Sequence, residues 1–74
     1  MKGEFQPMRV QLCLDRYLNE NGISRYELSK QSGILYPVVD RYYKNQVQRY
    51  DRYVLSRFCT VLECDIADII EVAE

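Results

Sequence analysis

An all-α fold, a compact five-helix domain around one core, is what this 74-residue chain predicts. Three observations carry that expectation. Apolar residues recur at three- and four-residue spacings through most of the chain, the period of helices with one buried face. Residues that start helices (Pro7, Ser24, Pro37, Asp51, Asp65) and residues that stop them (Asn21-Gly22, Gly33) fall between the apolar stretches. No segment shows strand-like alternation of any length, and there is no repeat or low-complexity tract.

Residues 1–6 lack periodicity and read as a short arm, with Phe5 tucked against the first helix. The expected division is therefore an N-terminal arm, 1–7, and a helical domain, 8–74. Pro7 suits the first position of a helix. Val10, Cys13, Leu14, Tyr17 and Leu18 then form one buried stripe, which Asn21-Gly22 ends. Met8 and Leu12 lie off that stripe as an i, i+4 pair, open to packing against the arm or to a dimer contact.

Ser24 followed by Glu27 is a capping box at the start of the second helix, which carries Leu28 inward and ends near Gly33. A third helix begins at about Tyr36, with Pro37 in its first turn, where a missing N–H costs little. Val39 and Tyr42 face the core from it, with Val38 beside them. Two short helices about a glycine turn make a helix-turn-helix, whose second helix enters the DNA major groove. Leu35 stands where serine or threonine usually caps that helix, so its start is expected to rely on hydrophobic packing. Asn45 is expected to take the left-handed conformation at the following turn. Asp51 caps a fourth helix holding Leu55, Phe58, Cys59 and Leu62, flanked by Val54 and Val61. After a bend at Glu63-Cys64, Asp65 caps a fifth holding Ile66, Ile69 and Ile70.

The length suits one domain near the small end of what folds without staples. No apolar run approaches a membrane span, and the N-terminus is not a signal peptide. Without histidine or a CxxC pair, Cys13, Cys59 and Cys64 read as small buried hydrophobes in a reducing cytosol, a disulfide being the lesser alternative. The net charge is −1, yet its distribution is polarised. Residues 36–57 carry five cations (Arg41, Lys44, Arg49, Arg52, Arg57) against Asp40 and Asp51, whereas residues 58–74 carry five carboxylates and no cation. A basic middle within the motif fits a phosphate-facing surface better than chance clustering of solvated charge.

These residues resemble the Cro/repressor (XRE-like) class of helix-turn-helix domains, the lambda-repressor-like fold. The resemblance runs through Gly22-Ile23-Ser24, Glu27-Leu28-Ser29, Gly33-Ile34, Val39 and Tyr42, and then Leu55, Phe58-Cys59, Leu62, Cys64-Asp65-Ile66 and Asp68-Ile69-Ile70. Asn45 departs from the glycine that relatives usually carry there. The resemblance implies a DNA-binding transcriptional regulator of a bacterial or phage cytosol, acting as a homodimer on a two-fold site in double-stranded DNA. It also implies base-facing positions at Tyr36, Pro37 and Arg41, with Asp40 beside them.

Physical chemistry ranks those positions. Arg41 can make two parallel hydrogen bonds to guanine O6 and N7. Tyr36 offers a hydroxyl and a flat ring that can cover a thymine methyl. Pro37 supplies only van der Waals contact, so shape readout is expected to supplement direct readout. The bland alternative for Arg41 is a solvated cation, paired with Asp40 or another helix. Phosphate contacts are expected from Arg25 at a helix start and from Lys44, Gln46, Gln48, Arg49 and Arg52 beyond the recognition helix. Gln46 and Gln48 equally suit plain polar loop residues. Tyr26 either covers apolar surface or approaches DNA.

Tyrosine is dense from residue 36 to 53, and exposure is expected at Tyr43 and Tyr50. That supports an alternative, a protein-binding adaptor or inhibitor that uses Tyr43 and Tyr50 on a partner surface. An enzyme is not expected, since no histidine, glycine-rich phosphate loop or nucleophile–base spacing is present. No cofactor, metal or membrane partner is expected either.

Overall fold

A computed structural model describes residues 9–73. The elements run β1 (Arg9–Leu12), α1 (Leu14–Glu20), α2 (Arg25–Ser32), α3 (Tyr36–Tyr43), α4 (Arg52–Leu62), a 3-10 turn (Ile66–Asp68) and β2 (Ile70–Ala73). Among the described residues, four α-helices and a small antiparallel sheet thus replace the expected five helices. The arm, the packing of Phe5, the roles given to Pro7 and Met8 and the arm–domain boundary all lie outside the described residues.

Both corrections sit at the ends of the chain. Residues 9–12 pair with 70–73, Arg9 opposite Ala73, Val10 opposite Val72, Gln11 opposite Glu71 and Leu12 opposite Ile70. The first helix therefore begins at Leu14, and Val10 leaves its stripe for an exposed strand position. The fifth helix shrinks to one 3-10 turn, which leaves Ile66 exposed and Ile69 fully buried. Strand pairing satisfies backbone groups that a short terminal helix would leave open to water at its ends. Side chains fasten the ribbon to α1. Glu71 accepts from Gln11 Nε2 at 2.7 Å and from Arg16 Nη2 at 2.9 Å, and these two donors hold its carboxyl below the usual range.

The helices keep their expected places because their signals are local. Ser24 Oγ accepts the Glu27 N–H at 3.0 Å, and Gly33 ends α2 at φ 76°, donating its N–H to the Ser29 carbonyl. Asp51 Oδ1 accepts from both the Tyr53 and Val54 amides. Asn45 takes φ 57°, as expected, and its Oδ1 also accepts the Leu12 N–H at 3.0 Å, tying the turn after α3 to β1.

Leu12, Leu14, Leu18, Leu28, Ile34, Val39, Tyr42, Val54, Phe58 and Ile69 form the core. Tyr42 lies edge-on to Phe58, with centroids 5.6 Å apart, and its hydroxyl accepts the Asp51 N–H at 2.9 Å. Of the cysteines only Cys13 is buried, Cys59 and Cys64 being half-buried, and all three are free thiols. Burial, with Cys59 beside it, pushes the Cys64 thiol up to about 11, so it stays protonated.

Glu63 ends α4 in the left-handed region, at φ 53°. A side chain there is strained where glycine is not. Glu63→Gly is expected to raise stability by about 0.5–1 kcal/mol, read as a higher midpoint in urea unfolding with an unchanged slope.

Candidate nucleic-acid interface

The α2–turn–α3 unit is held together from behind, which leaves the front of α3 free. Ser29 Oγ donates to the Ile34 carbonyl at 2.6 Å, and buried Ser32 Oγ accepts the Ile34 N–H at 3.1 Å. Arg57 reaches from α4 and donates its Nε–H to the Ser32 carbonyl at 2.9 Å. That contact places a cation at the C-terminal end of α2, where the helix dipole favours one. Arg57 is therefore a brace for the motif rather than part of a basic surface. Nothing in its sequence neighbourhood signals that role, because the two ends meet only when α2 and α4 pack.

The spacing of α3 sorts its side chains by face. Val39 and Tyr42 point inward, while Tyr36, Pro37 and Arg41 are exposed, with Tyr36 at 41%. Leu35 at the N-cap makes no side-chain cap bond and is itself exposed, so the packing of the helix start comes from Val38 and Val39 instead. Hydrogen bonds add to it: Val38 and Val39 both donate to the Leu35 carbonyl, and Pro37 has no N–H to satisfy. Tyr26 of α2 is also exposed, so it does not cover the protein's own apolar surface.

Apart from Tyr36 and Pro37, exposed on α3, the expected site residues fall into two groups and one outlier. Arg41, Gln46, Gln48 and Arg49 border a shallow cavity of about 390 Å³ between α3 and the connection that follows it. Arg41 makes no ion pair among the described residues, so the pairing alternative for it does not hold. The second group is Arg25, Asp40 and Lys44. Asp40 pairs with Arg25 through one carboxylate oxygen and with Lys44 through the other, at 3.1 Å. The Arg25 guanidinium also lies over the Tyr43 ring, 4.5 Å from its centroid. The hydrogen bond from Lys44, reinforced by Arg25, holds the Asp40 carboxyl below the usual aspartate range against the opposing effect of burial. Its stabilising effect is complete above the ordinary aspartate range and is lost as pH falls through the lowered value, so the clamp is intact at neutral pH. Arg52 stands apart, lining a different groove with Tyr50, Leu55 and Ile66.

Tyr43 and Tyr50 are not exposed as expected. Both are half-buried against the core. The Tyr43 hydroxyl donates to Asn19 Oδ1 at 3.2 Å and the Tyr50 hydroxyl to the Val10 carbonyl at 3.3 Å. Aromatic pairing also draws Tyr50 toward Tyr42, with centroids 6.4 Å apart. The tyrosine surface invoked for a protein partner therefore does not assemble at those two positions. Among the described residues, no helix is long and apolar enough to cross a membrane, and no three acidic, cysteine or histidine side chains cluster to hold a metal.

Comparison with known proteins agrees with this geometry. A family model described as a Cro/C1-type HTH DNA-binding domain matches residues 13–74. Among solved structures, the chain is similar to the crystal structure of the transcriptional regulator VanUg. The identity is 30% and the TM-score 0.72, over 99% of this chain and 96% of that one. No curated protein matches it.

Proposed function

Because the chain belongs to the Cro/C1-type helix-turn-helix DNA-binding family, we propose that it is a transcriptional regulator that binds duplex DNA sequence-specifically, with α3 in the major groove. It acts as a two-fold dimer on half-sites about one helical turn apart. The supporting observation is the outward face of α3, where Arg41, which makes no ion pair among the described residues, is exposed along with Tyr36 and Pro37 and shares a cavity with Gln46, Gln48 and Arg49. Arg41 reads guanine, Tyr36 covers a thymine methyl and Pro37 gives contact only. Gln46, Gln48 and Arg49 grip phosphates, as does the start of α2 through Arg25, and Arg52 at the start of α4 adds a phosphate contact from outside that cavity.

Asp40 has a different part in this reading. At the groove-facing surface its carboxylate would repel phosphate, yet it holds Arg25 and Lys44 in fixed positions on either side. Phosphates then compete with Asp40 for those two cations, which restrains sequence-blind binding.

Salt dependence tests the reading. The logarithm of the association constant should fall linearly with the logarithm of salt, by about 0.9 for each phosphate neutralised. Asp40→Asn should raise affinity for random duplex and steepen that slope, by up to about 0.9 for each cation it releases. A flat salt response with weak, sequence-blind association would remove DNA as the partner. With the steep salt response, selection of bound sequences from a random duplex pool gives the operator and its half-site spacing together.

A further inference from the structure

Leu35 contradicts its position twice over. It is the N-cap of α3, where a serine, threonine or aspartate side chain would accept an amide hydrogen bond, and it makes no such bond. The helices on either side have theirs, since Ser24 caps α2 and Asp51 caps α4. The backbone is no obstacle to a cap, because Leu35 is extended at φ −59° and ψ 141°, much as Asp51 is at −84° and 123°. Cys13, the N-cap of α1, also lacks a side-chain bond, but it is buried. Leu35 is 73% exposed, the most exposed large apolar side chain among the described residues. It therefore forgoes a cap without gaining a place in the core. A local rule broken with no internal gain marks a residue whose gain lies in a partner. Nor is this a stray surface leucine. Leu35, Tyr36 and Pro37 are consecutive and all exposed, an apolar tip at the end of the helix that carries Arg41.

We propose that Leu35 is a specificity-determining residue that reads the methyl group at C5 of a pyrimidine in the major groove. The claim rests on the DNA-binding regulator proposed above and names a base feature that it recognises. The N-terminal residues of a recognition helix are the ones that meet base edges. A leucine side chain neither donates nor accepts a hydrogen bond, so it cannot read the nitrogen and oxygen atoms of those edges. The C5 methyl is the apolar group that the major groove presents. Set against phosphate instead, the isobutyl group would only strip water from a charge. Leu35 adds an apolar surface next to that of Tyr36, so a methyl group docked there leaves water more completely than against one ring alone. Thymine and 5-methylcytosine carry the same methyl, and the contact is to that group whichever base bears it. Arg41 then reads by hydrogen bonding and Leu35 by apolar contact.

Two measurements test this, the first without DNA. Leu35→Ser restores an acceptor at the N-cap and removes no buried group, so the urea midpoint should rise. A lower midpoint would mean that Leu35 is held by its own chain, and would overturn the proposal. The second uses the duplex selected from the random pool, with deoxyuridine in place of each thymidine in turn and 5-methylcytosine in place of each cytosine. With the unmodified chain, one position in each half-site should change affinity by about fourfold, the effect of one buried methyl group. A thymine there shows as a loss on deoxyuridine, a cytosine as a gain on methylation. Leu35→Ser should abolish the response, and Leu35→Met, which keeps an apolar side chain of similar volume, should retain it. Specific binding with no response at any pyrimidine, or a response that Leu35→Ser leaves intact, overturns the proposal and leaves the regulator reading standing. Absence of any sequence-specific duplex binding by the unmodified chain removes that reading itself, and this one with it.

Discussion

Replacing Arg41 by alanine is expected to blur sequence preference while leaving the fold intact. Arg41 is exposed, and its backbone carbonyl, not its side chain, accepts the Gln46 N–H at 2.9 Å. Removing the side chain therefore breaks no internal contact, and the thermal midpoint should not move. A bidentate contact to guanine is worth about 1–3 kcal/mol of discrimination, so the ratio of operator to random-duplex affinity should fall roughly 5- to 150-fold. The loss should concentrate at one base pair of each half-site. Arg49→Ala is the contrasting case. A lost phosphate contact weakens all duplexes alike and lowers the salt slope by about 0.9. If Arg41→Ala behaves in that uniform way, Arg41 is a phosphate ligand and the base assignment is wrong.

Phe58→Ala is expected to destabilise the chain severely. Phe58 is fully buried and meets the Tyr42 ring edge-on, linking α4 to the back of α3. Truncating a buried phenylalanine costs about 3–5 kcal/mol through lost transfer energy and the cavity left behind. A chain this short has only about 4–11 kcal/mol in total. The thermal midpoint should drop by more than about 12 °C, with partial unfolding already at room temperature. DNA binding should fail with it, since Tyr42 loses the surface that seats α3. Calorimetry distinguishes this from a local defect, which would leave the midpoint within a few degrees.

These two residues differ in how visible they are in the chain. Phe58 is announced by its neighbours, because Leu55, Cys59 and Leu62 share its helical spacing. Arg41 is placed outward by the same reasoning run in reverse: with Val39 and Tyr42 inside, residue 41 must face out. What that reasoning cannot supply is the company an outward residue keeps. Asp40 sits beside Arg41 in sequence, yet it pairs with Lys44 one turn on and with Arg25 from the preceding helix. The same limit applies to the tyrosines. Spacing marks Tyr43 and Tyr50 as outside the main stripe, but only packing brings their hydroxyls to Asn19 and to the Val10 carbonyl.

The sequence by itself determined the middle of this protein: α2, the glycine turn, α3 and the capped start of α4, along with the left-handed turn at Asn45. Every signal there acts within about four residues, so it survives without knowledge of the rest. The tertiary structure alone decided the two ends. Residues 10–14 and 66–70 carry spacings that suit a helix, and the segments that form the sheet, Arg9–Leu12 and Ile70–Ala73, are four residues each, too short for a period to discriminate. They become strands because they lie against each other, a pairing whose partners are some sixty positions apart, as the bond between Gln11 and Glu71 (separation 60) records. Backbone hydrogen bonds made across that distance leave no trace in local periodicity, since they depend on the core that folds between them.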